Sequence, residues 1–84
     1  MSPDWQFVLN ESSVEFLLAC KVRHRGSLIQ SLQGLSDDPY QRSDYAGRDS
    51  TGRPVQIKLA HGCFITYWLD NAVKELRVIR IEPI

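Results

Sequence analysis

The chain has 84 residues, 43% of them hydrophobic and 24% charged, which excludes a disordered chain and predicts one globular domain spanning residues 1–84. Ten basic and ten acidic side chains leave a net charge of +0, without the basic surplus usual in nucleic-acid-binding domains. The longest uncharged apolar run, Gly62–Leu69, is too short to span a bilayer.

The first predicted element is a strand at Trp5–Leu9, with Trp5, Phe7 and Leu9 on one face. Ser12-Ser13-Val14-Glu15 has the spacing of a capping box and predicts a helix start. Apolar residues then recur at helical spacing at Val14, Leu17, Leu18, Val22, Leu28, Ile29, Leu32 and Leu35. One unbroken helix from Ser13 to Leu35 would be about 35 Å long, longer than the ~30 Å diameter expected of a domain this size. The expectation is a helical hairpin broken between Cys20 and Gly26, lying on one face of a sheet. Gly34 and Pro39 are expected to close the second helix, with Asp38 pushed out of helical geometry by the proline.

From Ser36 to Gly52 the sequence is polar and rich in Asp, Ser, Gly and Arg, which predicts a functional loop or a short irregular strand. Ser50-Thr51-Gly52-Arg53 reads as a turn. Three strands follow at Pro54–Ala60, Cys63–Asp70 and Glu75–Glu82, each alternating with period two. Their connections, His61-Gly62 and Asn71–Lys74, are short and predict antiparallel neighbours. The fold class is thus α+β: an N-terminal strand, a two-helix hairpin, and an antiparallel three-stranded meander with the helices on one sheet face. By alternation Arg77 and Arg80 fall on opposite faces of the last strand. Cys20 and Cys63 have no metal-like spacing and read as reduced core residues. No metal or cofactor is expected. Asp4, with no basic stretch leading into an apolar one, predicts no secretory signal and a cytoplasmic location.

Two segments carry a family resemblance. Leu32-Gln33-Gly34-Leu35-Ser36-Asp37-Asp38-Pro39-Tyr40 is a leucine-spaced helix closing on Asp-Pro. Phe64-Ile65-Thr66-Tyr67-Trp68-Leu69-Asp70 leads through a turn into Glu75-Leu76-Arg77-Val78-Ile79-Arg80-Ile81. With the order of elements, this resembles the RelE/ParE toxin superfamily. The resemblance implies the toxin of a type II toxin–antitoxin pair, with a cognate antitoxin as partner. RelE-like members are mRNA endonucleases acting in the ribosome. ParE-like members block DNA gyrase. A non-catalytic protein of the same fold, acting by binding, is the alternative. A third reading is an oligomer-forming domain, such as a homodimer, whose sheet edge pairs with another chain.

Cleavage of RNA through the 2′-hydroxyl would need no metal, only a base, an acid and fixed cations. Lys58 matches the family's substrate-facing lysine. His61 is a candidate proton carrier, and Arg77 and Arg80 are candidate cations for the catalytic group. Arg48 and Arg53 flank the polar stretch as candidate RNA-phosphate contacts. Trp68 could stack on bases, whereas Tyr67 shares the face of Ile65 and is expected in the core. Phe64 stands where many RelE nucleases have an arginine, and the basic or aromatic groups that these carry beyond the last strand have no counterpart before Ile84.

Overall fold

The computed structural model describes residues 4–84, so the terminus on which the secretory-signal expectation rests lies partly outside it. The elements are β1 (Gln6–Leu9), α1 (Glu11–Ala19), α2 (Val22–Asp37), β2 (Tyr45–Arg48), β3 (Pro54–Ala60), β4 (Cys63–Asp70) and β5 (Glu75–Pro83). They form one five-stranded sheet in the order β1-β5-β4-β3-β2. Strand β1 runs parallel to β5, and the remaining pairs are antiparallel. The class is α+β as expected, but the meander has four strands, because Tyr45–Arg48 within the polar stretch pairs with β3. No helix among the described residues is long and apolar enough to cross a membrane.

Helix α1 is capped two residues before the expected Ser12. Asn10 is its N-cap, and Oδ1 accepts the Ser13 N–H at 3.0 Å and the Ser12 hydroxyl at 3.2 Å. Ser12 therefore donates to the cap and does not act as one, so the capping-box reading is corrected. The same Asn10 donates its side-chain N–H to the Ile79 carbonyl at 2.8 Å and its backbone N–H to that of Val78 at 3.2 Å. One residue thus ends β1, opens α1 and grips β5.

The helices part at Cys20 and Lys21, both in extended backbone, within the expected window. The cause is not Gly26, which lies exposed inside α2. The Arg25 guanidinium reaches back to the carbonyls of Leu17 at 2.8 Å, Cys20 at 3.0 Å and Leu18 at 3.3 Å. These are carbonyls at the C-terminal end of α1, where intrahelical donors run out and only Leu17 keeps one, the Cys20 N–H at 3.2 Å; a cation there also suits the helix dipole. Gly34 is likewise inside α2. Asp38 leaves helical geometry before Pro39, and Gln41 Nε2 donates to the carbonyls of Gly34 and Asp38.

Leu17, Leu28, Leu32 and Leu35 of the helices meet Cys63, Ile65, Tyr67, Leu76, Val78 and Ile81 of the sheet in the core. Tyr67 is fully buried, as expected, and both cysteines are free. Val14, Leu18 and Val22 are exposed instead of buried; within α1 it is Leu17, with Phe16 packed beside it, that faces the core. Strand β5 has a bulge: Tyr67 pairs with Val78 but Thr66 with Arg80, so Ile79 is an inserted residue. Val78 and Ile81 therefore both reach the core. Arg77 lies opposite Trp68 and Arg80 opposite Thr66, on the face away from the helices. The placement of the two arginines on opposite faces is corrected by this bulge.

Two outcomes test this account. Asn10→Ala should lower unfolding stability by about 1–3 kcal/mol, since it removes both the cap and the bond to the bulge. Asn10→Asp should retain most of the helix yet still lose about 1 kcal/mol, because a carboxylate cannot donate to Ile79. Conversely, the Ser13 hydroxyl is buried without a partner, so Ser13→Ala should be neutral or stabilise by up to about 1–2 kcal/mol. Denaturant titration of each variant measures these differences.

Candidate functional site

The sheet has one face under the helices and one face open, and the candidate residues divide between them. Lys58 pairs with Ile65, which is fully buried in the core, so Lys58 projects on the helix side. Its ammonium lies 4.0 Å from the Asp44 carboxylate, whose Oδ2 also accepts the Leu59 N–H at 2.7 Å. With His61, Ser31 and Gln41 it borders a hollow of about 390 Å³ beside α2. His61 is exposed at the β3–β4 turn, with φ 51°, followed by Gly62 with φ 77°. Two successive positive φ values are what a type I′ hairpin turn requires.

Arg53, Arg77 and Arg80 border hollows on the open face, and Arg48, opposite Pro54 at the sheet edge, reaches the rim of one of them. Neither Arg77 nor Arg80 shares a surface with Lys58, so the expected catalytic group is not brought together. Arg77 donates through Nη2 to Glu75 at 2.7 Å and through Nε to Asp70 at 3.2 Å. Arg80 Nη1 is 3.5 Å from Glu82. Arg48 donates to the Gly52 carbonyl at 2.8 Å. The Arg53 guanidinium stands 4.0 Å from the centre of the Trp68 ring, with Arg77 at 5.7 Å. Trp68 is thus on the open face, flanked by two cations.

The open face holds two hollows that share Ile79. One, of about 460 Å³, has Val55, Ile57 and Thr66 below Arg48 and Arg80. The other, of about 230 Å³, lies between Val8, Trp68, Arg53 and Arg77. The floor of the larger hollow is apolar because Val55 and Ile57 of β3 project to this side. The rim alternates arginine with carboxylate. Arginine does not release its proton, so it can orient an anion but cannot act as a base. Neither histidine reaches this surface. The arrangement suits holding a partner better than moving protons.

One constellation had no sequence signal. His24, on α2, places Nε2 2.8 Å from the His61 carbonyl and 3.9 Å from Cys63 Sγ. A carbonyl only accepts, so this nitrogen carries a proton and has no lone pair left for the thiol. Burial, and then the nearby Cys20, raises the Cys63 thiol above its ordinary range. The pair locks the hairpin to α2 and is no nucleophile–base dyad. Burial also raises the Tyr67 hydroxyl, followed by the charge of Asp44. Among the described residues no three His, Cys, Asp or Glu side chains converge on a metal position.

The turn carrying Arg53 is organised by Asp49. Its Oδ1 accepts from the Thr51 hydroxyl at 2.6 Å and from the backbone N–H groups of Thr51 and Arg53 at 2.9 Å each. The Thr51 hydroxyl is the main cause holding the carboxyl below its ordinary range; those two N–H groups and the Arg53 charge assist against partial desolvation. A depressed folded-state pKa means that the turn's contribution is present above the ordinary carboxylate range. It is lost as pH falls through the folded value. In an NMR titration Asp49 should therefore titrate below the unfolded aspartate range. Thr51→Val should move it upward, and Trp68 emission should change with the same midpoint.

Comparison with known proteins finds no match: no family model, no curated protein and no solved structure matches this chain.

Proposed function

We propose that this chain is a non-catalytic protein of RelE/ParE-like type that acts by binding a protein partner on the open face of its sheet. The observation that carries this reading is the separation of Lys58 and His61 from Arg77 and Arg80 by the thickness of the sheet. That separation disfavours the ribosome-dependent endonuclease implied by the resemblance, which needs proton carriers and cations around one phosphate. The open face also fits a protein better than RNA. Arg77 and Arg80 already have carboxylate partners, which reduces the surplus cation on which counterion release depends. Trp68, framed by Arg53 and Arg77, is the anchor type most enriched at binding hot spots. The partner the resemblance implies is a cognate antitoxin.

The test is co-purification with the product of the adjacent reading frame, followed by calorimetric titration. Trp68→Ala and Arg53→Glu should each weaken binding by about tenfold or more while leaving the fold intact. Lys58→Ala should leave binding unchanged. Induction of the chain alone should produce no cleaved mRNA. Cleavage that disappears in Arg80→Ala would favour the endonuclease in its place, and unchanged affinity in both face variants would reject the surface.

A further inference from the structure

Strand β2 closes one edge of the sheet, and among the described residues no further strand pairs with it. All four residues, Tyr45–Arg48, are exposed. The register sets Tyr45 against Ile57 and Gly47 against Val55, and the Asp49 N–H donates to the Arg53 carbonyl at 3.0 Å. In an antiparallel pair, alternate residues bond to the neighbour and the others point away. Tyr45, Gly47 and Asp49 therefore serve β3, while the backbone groups of Ala46 and Arg48 point outward. The strand has neither the proline nor the lysine that commonly blunts such an edge.

We propose that this edge pairs with the same edge of a second copy, antiparallel, with Ala46 on the two-fold axis. The sequence is self-complementary in that register. Ala46 of each copy exchanges two backbone hydrogen bonds with its counterpart. Asp44, just before the strand and with its backbone N–H turned inward to the Ile57 carbonyl at 3.0 Å, is brought alongside Arg48 of the other copy, twice over. Opposite charges directly across a strand pair stabilise it. Asp44 commits Oδ2 to Leu59 and Lys58, and its Oδ1 accepts no hydrogen bond among the described residues. On the open face, Tyr45 of one copy lies opposite Gly47 of the other.

That last pairing accounts for the hollow of about 460 Å³, which begins at Gly47. A Cβ at Gly47 would meet only Val55 Cγ2, at 4.0 Å. Room above the glycine is left for a ring, and Tyr45 is a large, half-exposed side chain whose inner side is tilted against Phe64 of β4. An aromatic across from a strand glycine covers backbone that the glycine leaves bare. The sheets of the two copies become continuous, and the Trp68 region stays free. The inference does not depend on the identity of any other partner.

Two four-residue edges make a small interface, so the dimer is weak, with a dissociation constant on the order of 100 μM. Sedimentation of the whole chain over a concentration series tests it. The wild type should shift from monomer to dimer. Ala46→Pro removes an outward N–H that the monomer does not use and should be monomeric throughout. Arg48→Glu sets like charges opposite each other and should weaken association by about tenfold or more. An amide NMR spectrum establishes that each variant is folded; if Ala46→Pro is not, Arg48→Glu decides. A wild type that stays monomeric to about 1 mM would overturn the proposal. So would a dimer that persists undiminished in the folded variants.

Discussion

Asn10 joins β1, α1 and β5 at a single point. Its backbone closes β1 against β5, its Oδ1 caps α1, and its amide nitrogen takes the carbonyl of the inserted residue Ile79. A bulge carbonyl displaced from the ladder needs a donor, and an asparagine that is already a helix cap supplies one at no further ordering cost. The consequence reaches both faces. Without the insertion, strict alternation from Val78 would turn Ile81 outward and Arg80 inward. With it, Ile81 completes the core, and Arg80 joins Arg77 on the open side. Core and candidate surface thus depend on the same local irregularity.

What could be read in advance follows from what alternation encodes. The bounds of β3 and β4, the short turns and the burial of Tyr67 all follow from periodicity and turn residues. Alternation fixes which residues share a face, but not which face meets the helices. In β3 the apolar set, Val55, Ile57 and Leu59, resembles a core set and yet lies on the open side. Gln56, Lys58 and Ala60 take the helix side. Contacts from α1 and α2 fall chiefly on β1 and β5, so β3 lies near the limit of helical cover, where a lysine can keep its ammonium in water. The bulge was illegible for a different reason. Ile79 and Arg80 carry no glycine or proline to mark it, and its partner, Asn10, is 69 residues away in sequence.

The helical hairpin shows the same division between local and distant causes. Size alone required a break, but Gly26, the obvious weak point, is simply absorbed into α2. The bend lies instead where three carbonyls at the end of α1 can be satisfied by one guanidinium from the next helix. That contact spans five to eight residues of sequence, yet it depends on a fork geometry that a propensity scale does not describe. Val14, Leu18 and Val22 stay outside the core, while Leu17, Leu28, Leu32 and Leu35 form its helical side.

A formal charge of +0 says little until the charges are placed. On the open face Arg77 and Arg80 are matched by Asp70, Glu75 and Glu82, whereas Arg53 rests on an indole. Exposed ion pairs of this kind add little stability, so their arrangement is not explained by the fold's energy. Their effect is on what can approach. A polyanion would have to separate Arg77 and Arg80 from carboxylates that already neutralise them. A protein surface with its own alternating charges could instead join the pattern while covering Val55, Ile57 and Trp68. On the proposed reading, such a face selects by shape and charge order rather than by net attraction, as a specific docking surface does and a non-specific grip on nucleic acid does not.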